Sequence, residues 1–286
     1  MNNIIIETES DQIEAKVLGQ RVSVPESYDP NILVAIPRST NRIPYGIDDS
    51  DFNGYDYWSA YECTYLLENG SPVYLGVRIK YPSSSEFIVE SKSLKLYFNS
   101  FNNYKIKGSI YSSKNQFLRI VEEDLKLLLN TVVKVNILDK EFIYPYDEFI
   151  SIDSFINRSQ IHITQYHEDA NILEYGDMKE FSIYIEGLMS NCQVTGAPDH
   201  ATLLIKFNGK KGVNLTSLFK YIVSHRKENR FHEATLETIF KHIKDKYNPD
   251  SLTMLALYTR RGGISISPFR TTESDYQWND YRSYFD

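Results

Sequence analysis

The chain has 286 residues, of which 42% are hydrophobic and 14% aromatic, enough for one large folded domain or two of ordinary size. Its 31 lysines and arginines stand against 38 aspartates and glutamates, a formal charge of -7, which argues against a broad grip on DNA or RNA but leaves room for a local basic pocket. The two cysteines, Cys63 and Cys192, are far apart, and no apolar run reaches membrane-spanning length; this argues against a disulfide framework, a cysteine zinc site and a membrane span, and points to a soluble, unexported protein in a reducing cytoplasm.

Residues 1–54 mix proline, glycine and acidic turn signals ("VPESYDP", "AIPRSTNRIPYG", "DDSDFNG") and read as an arm or irregular cap. From 57 to 80, two strand-like runs flank "ENGSP", the pattern of an antiparallel hairpin. "EFIVE" (86–90) reads as a further strand end. Leu94, Tyr97, Phe98 and Phe101 share one helical face, and "NQFLRIVEEDLKLLLN" (115–130) predicts a second amphipathic helix. Strands are then expected at "TVVKVNIL" (131–138) and "KEFIYPY" (140–146).

The second half runs through a similar order. "MSNCQVTGAPDHATLLIKF" (189–207) is strand, turn and strand; "NLTSLFKYIVSHRK" (214–227) and "FHEATLETIFKHIKDKY" (231–247) are helices; "SLTMLALYTRRGGISISPF" (251–269) is a hairpin around "RRGG". Leu94, Tyr97 and Ser100 match Leu218, Tyr221 and Ser224 in spacing. Together with the repeated element order this suggests an internal duplication, and hence an α+β protein of two similar units.

Several chemistries find no support in the residues. There is no GxGxxG or GxxxxGK[ST] motif, and His232-Glu233 has Leu236 where a zincin needs its second histidine. His162 and His167, beside Glu168 and Asp169, sit in a polar segment best read as a solvated loop, so no metal is assigned. Cys192 is different, because a Gly-Ala-Pro turn separates it from Asp199. A thiol and a nearby acid suit addition to an electrophilic carbon, although from spacing alone an isolated cysteine is more often a small buried apolar residue. Glu233 offers two acceptor oxygens to the amide and amine edge of a guanine-like base, with Phe231 as a stacking surface; the alternative is an acidic first turn complementing the helix dipole. Arg260 and Arg261 are either hairpin-end charges or phosphate ligands beside a permissive Gly262.

In combination, "AIPRSTNR" (35–42), "ESKSLKLYFNSF" (90–101), "SNCQVTGAPD" (190–199), "FHE" (231–233) and "YTRRGGISISPFR" (258–270) resemble the NADPH-dependent 7-cyano-7-deazaguanine reductases. These are nitrile reductases of queuosine biosynthesis in the tunnelling-fold superfamily, and the chain resembles their two-module form. The resemblance implies two tandem tunnelling-fold modules, each an antiparallel sheet covered by two helices: an arm over 1–54, a module over 55–155 with the ESKSLK signature, and a module over 156–286 with the nucleophile. It implies Cys192 as the residue forming a thioimide with the nitrile and Asp199 as proton donor. It places Val89, Glu90, Ser91, Phe231, His232 and Glu233 at the substrate, and Ser91, Lys92, Arg261 and Gly262 at NADPH. Glu90 would face the base, while open N–H groups at the helix mouth would receive anionic cofactor groups. A homodimer without direct nucleic-acid contact is implied as well. His200 after Asp199 and Ala234 after "FHE" depart from the expected pattern. The rival readings are a related amidinotransferase acting on tRNA that carries the nitrile base and a non-catalytic deazaguanine-binding module.

Overall fold

The computed structural model describes residues 25–138, 142–275 and 279–283. The arm contributes strand β1 (Ala35–Pro37) and a single helical turn, α1 (Ser39–Arg42). The hairpin β2 (Asn53–Leu67) and β3 (Pro72–Pro82) follows, then β4 (Phe87–Val89), α2 (Ser91–Ser100), β5 (Lys105–Ile106), α3 (Ile110–Leu129) and β6 (Lys134–Ile137). A two-residue strand, β7 (Ile150–Ser151), leads to the long hairpin β8 (Tyr175–Asn191) and β9 (Pro198–Val213), helices α4 (Leu215–Ser224) and α5 (His232–Tyr247), and the hairpin β10 (Ser251–Tyr258) and β11 (Ile264–Thr271).

Mixed α and β elements were expected, with antiparallel hairpins and two helix pairs, and these are present. The strands of the two halves, however, are continuous. Among the described residues one sheet runs in the order β6-β3-β2-β11-β10-β9-β8-β7, with β5 beside β2. Its seam is the antiparallel pairing of β11 with β2, in register from Ile264 opposite Ala60 to Thr271 opposite Asn53. Only the short β5 and β7 pair in parallel, with β2 and β8.

Alternation explains how the sheet carries its helices. In β3 every second residue, Val73, Leu75, Val77, Ile79 and Tyr81, is buried, because successive side chains of a strand point to opposite faces. These pack with Leu94, Tyr97, Phe98 and Phe101 of α2 and Phe117, Val121 and Leu125 of α3 in one core. A second core joins Leu203 and Ile205 of β9 to Leu218 and Ile222 of α4 and Leu236, Ile239 and Phe240 of α5. The other face of the central strands is covered too, Leu204, Leu255, Leu257 and Phe269 lying against Phe149 and Tyr281.

One expectation is corrected. No strand forms over 142–146, the described part of the stretch expected at 140–146, whose first two residues lie outside the described set: Ile143 makes one bridge to Tyr281, and Pro145 opens a 3-10 turn. Proline lacks the N–H that a ladder needs. From residue 25 onward the segment expected as an arm or irregular cap packs against both cores. Leu33 and Ile36 enter the first core and Ile47 and Phe52 the second, while β1 pairs with β4. The part of the arm before residue 25 lies outside the described residues.

The arm is also tied in by charge. Glu237 of α5 accepts from Arg42 (Nε at 2.8 Å, Nη2 at 2.6 Å) and from Arg270 of β11 (Nη2 at 2.6 Å). Arg270 reaches Asp56 of β2 at 2.8 Å, and Arg38 binds the other oxygen of Asp56. Removing one partner of such a buried network leaves uncompensated charges. Glu237→Ala should therefore lower unfolding stability by about 3–5 kcal/mol, read as a lower urea midpoint; a midpoint equal to the parent's would show the network to be energetically idle.

One local construction appears twice. "DPNIL" (29–33) and "DANIL" (169–173) each form a 3-10 turn capped by their aspartate. Val34 N–H donates to Ser93 Oγ at 3.1 Å, and Glu174 N–H to Ser217 Oγ at 3.0 Å. Ser93 and Ser217 each donate to the carbonyl of the helix cap at 2.8 Å. Ser100 and Ser224 likewise bond back to the carbonyls of Tyr97 and Tyr221.

Candidate active site

Four chain segments converge on one cavity of about 290 Å³: the start of α2, the β8–β9 turn, the start of α5 and the β10–β11 turn. Every site residue expected from the sequence lines it: Val89, Glu90, Ser91, Lys92, Cys192, Asp199, Phe231, His232, Glu233, Arg261 and Gly262. Trp58, Ile88, Ile264 and Ile266 add apolar wall, and Lys95, Gln193 and Thr195 add polar groups.

The β8–β9 turn is closed by Cys192 N–H to the Ala197 carbonyl (2.8 Å) and Gly196 N–H to the Cys192 carbonyl (2.9 Å). Gly196 takes φ 65°, a left-handed geometry that favours glycine. The turn leaves Cys192 partly exposed. Cys63, by contrast, is fully buried, and burial, with Glu62 nearby, pushes its thiol far above the usual range; it is an inert packing group.

Asp199, 4% exposed, stands between two cationic or potentially cationic groups. Its Oδ2 is 3.3 Å from His232 Nε2, and its Oδ1 is 2.9 Å from Arg261 Nη1. The His232 ring is stacked on Tyr258, with centroids 3.8 Å apart and planes 9° apart. A carboxylate held from both sides is fixed in place, and a histidine in contact with it provides a route for a proton. His200 is exposed, its strand position turning it away from the buried Asp199, so this departure does not alter the setting of Asp199. Ala234 is buried in the first turn of α5.

Glu233, 3% exposed, follows His232 in that turn. Burial and the nearby Asp56 carboxylate raise its pKa to about 7, opposed by His232 and Arg38. Its Oε1 is buried without a hydrogen-bond partner, which makes it an acceptor in want of a donor.

At α2 the sequence reading needs revision. Glu90 is the N-cap and accepts from Lys92 N–H at 2.9 Å and Ser93 N–H at 2.6 Å. Two of the N–H groups expected to be open are therefore satisfied internally. Cationic character at this mouth comes from Lys92, Lys95 and Arg261. Gly262 has φ 55°, a left-handed geometry that favours glycine, and Lys95 Nζ lies 2.7 Å from where a Cβ would stand. Lys95 was missed, although its spacing of three from Lys92 puts both on one helical face. Trp58 and Tyr258 come from strands remote in sequence, and no local pattern marks them.

Comparison with known proteins identifies the family. A family model described as "Nitrile reductase, 7-cyano-7-deazaguanine-reductase N-term" matches residues 24–137, and one described as "QueF-like protein" matches residues 198–277. The chain is 35% identical over 275 residues to an NADPH-dependent 7-cyano-7-deazaguanine reductase of Coxiella burnetii, covering 95% of this chain and 96% of that one. It is 40% identical over 273 residues to one of Rickettsia felis, covering 92% and 95%. A solved archaeosine synthase, described as QueF-like, aligns with 35% of the chain at 14% identity and a TM-score of 0.32, too slight a likeness to bear on the fold. On the identity and coverage of the reductases, the chain belongs to the NADPH-dependent 7-cyano-7-deazaguanine reductase family.

Proposed function

We propose that this protein reduces the nitrile of 7-cyano-7-deazaguanine to a primary amine, through a covalent adduct on Cys192, in the making of queuosine for tRNA. One observation carries the residue assignment: a single cavity gathers the partly exposed Cys192 thiol, the Asp199–His232 pair and the buried Glu233. Glu233, as carboxylate, accepts the two parallel N–H bonds of the guanine-like edge. Phe231 and the apolar wall cover the ring faces, and Glu90 and Ser91 border the base. The Cys192 thiolate adds to the nitrile carbon, forming one C–S bond and opening one π bond of the C≡N group. The proton that leaves the Cys192 thiol passes to Asp199, with His232 beside it, and from there to the nitrogen that gains the electron pair.

The residues at the α2 mouth fit a phosphorylated dinucleotide: Lys92, Lys95 and Arg261 are cations at one rim, Gly262 permits close approach, and Ser91 lies between them and the base. Two molecules of NADPH bound there in turn would supply one hydride each, the two that carry a nitrile to an amine. The enclosing walls keep water from the half-reduced substrate, which it would otherwise hydrolyse.

The same reading includes two tandem tunnelling-fold modules, over 55–155 and 156–286, after an arm over 1–54. The twice-used capping construction and the matching hydrogen bonds of Ser93 and Ser217 support a duplication. It also includes a homodimer in the cytoplasm that takes the free base and not nucleic acid, consistent with a net charge of -7. Among the described residues, no helix is long and apolar enough to cross a membrane.

The test is cofactor oxidation. Given the free nitrile base, the protein should oxidise two molecules of NADPH per base; binding of the base without oxidation would leave only a sensor, and consumption of an amine donor by tRNA-bound base would indicate an amidinotransferase. Lys92→Ala and Arg261→Ala should each weaken NADPH binding roughly tenfold, about 1.5 kcal/mol for a lost charge-assisted contact, while the Cys192 adduct still forms. Calorimetric affinities equal to the parent's in both variants would remove the cofactor assignment.

A further inference from the structure

Arg38 has no role in the scheme above, yet it is only 4% exposed and fixed on several sides. Its Nη2 lies 2.5 Å from Asp56 Oδ2, its Nε 3.0 Å from the Ser85 carbonyl, and its Nη1 3.9 Å from Glu237 Oε1. Glu233 and Glu237 are one turn apart on α5, and Arg38 and Glu233 line a shared small cavity with Asn41, Ile88 and Phe231. The guanidinium thus stands behind the carboxylate that faces the main cavity.

The charged and titratable surroundings of Glu233 make this placement consequential. Asp56 faces it from β2, Tyr81 from β3 and Tyr258 from β10, while His232 and Glu237 share its helix and Arg270 of β11 binds both Asp56 and Glu237. Asp56 opposes a negative charge on Glu233, whereas Arg38 and His232 favour it. With its Oε1 buried and unpartnered, Glu233 depends on this field to present acceptor oxygens rather than an O–H.

We propose that Arg38 is a positioning residue for substrate recognition, clamped between Asp56 and Glu237 so that the Glu233 carboxylate is held at the cavity wall against repulsion from Asp56. The inference rests on Glu233 as the group that receives the guanine-like edge. Without Arg38, Asp56 loses one of its two arginines, and its charge acts on Glu233 with less compensation. Ligand binding then requires a higher pH.

Binding of 7-cyano-7-deazaguanine is to be measured by calorimetry from about pH 5.5 to about pH 9 in the Cys192→Ala protein, where no adduct can form, with and without changes at Arg38. The parental midpoint should lie near 7. Arg38→Met should raise it by about one pH unit or more, and Arg38→Lys, which keeps the charge but not the fork, by less. A purely structural role would weaken binding equally at every pH, and an unmoved midpoint in Arg38→Met overturns the proposal. Where Arg38→Met does not fold, Arg38→Lys decides: an upward shift supports the proposal and none overturns it. Glu233→Gln in the same background separates the two layers. If it binds like the parent at every pH, the reading of Glu233 fails; if it loses the pH step while Arg38→Met retains it unshifted, the reading stands and Arg38 is only part of the fold.

Discussion

Cys192→Ala should abolish both the covalent adduct and turnover, lowering the rate on the order of ten-thousandfold or more. On the proposed mechanism the adduct precedes any reduction, so mixing the protein with 7-cyano-7-deazaguanine alone should raise its mass by one base per site, with the change mapping to Cys192. Cys63→Ala supplies the control within the same chain. Its thiol is fully buried, and burial disfavours its thiolate, so its loss should cost about 1 kcal/mol of packing and leave the adduct in place. Asp199→Asn should impair adduct formation and reduction together, because an amide cannot supply the proton that the nitrogen requires. If Cys192→Ala reduces the nitrile at the parental rate, hydride must reach the nitrile directly and the thiol has no covalent role.

What could be read in advance divides along a physical line. The helical faces were legible because burial recurs with the helix period: Leu94, Tyr97, Phe98 and Phe101 are all buried, as their spacing requires. The turn that carries Cys192 toward Asp199 was legible through its glycine and proline. Pairings between distant segments were not. Nothing local in "SISPF" tells β11 to pair with β2, which lies about two hundred residues earlier, and this seam brings the halves into one sheet. Nothing local marks Arg38 and Arg42 as buried ion-pair partners, since Asp56 and Glu237 are separated from them in sequence and approach only in the fold. Glu90 lines the cavity and also caps α2; a glutamate in front of "SKS" carries no local signal for the cap. The resemblance named the site residues correctly as neighbours, but the ion pair between Arg261 and Asp199 belongs to the tertiary structure alone.

That ion pair matters for the order of events. Arg261, 44% exposed on a hairpin turn, has a partner within the chain before any phosphate arrives. On the proposed cofactor site, a phosphate would compete with Asp199 for the same guanidinium, which would couple cofactor occupancy to the freedom of the acid. Electrostatics of this kind is strong only because Asp199 is 5% exposed at its side chain and the surrounding wall is apolar.

Glu233→Gln should weaken binding of the nitrile base about a hundredfold or more, because an amide N–H then opposes an N–H of the guanine-like edge in a buried site. The pH dependence supplies a second, independent signature. Burial and Asp56 place the Glu233 pKa at about 7 in the free protein, and the base requires the carboxylate. Parental affinity should therefore hold above about 7 and be lost as pH falls through that value, with a proton released on binding at lower pH. Calorimetry in buffers of different ionisation heat counts that proton. In Glu233→Gln the residue no longer titrates, so both the step and the released proton should vanish, leaving weak binding that is flat through this range. Conservative change at Glu90 would not reproduce this pattern, since its carboxylate is occupied with the backbone of α2. Equal affinity in parent and Glu233→Gln at every pH would reduce Glu233 to a first-turn charge complementing the α5 dipole, and the base would have to be recognised by another part of the cavity.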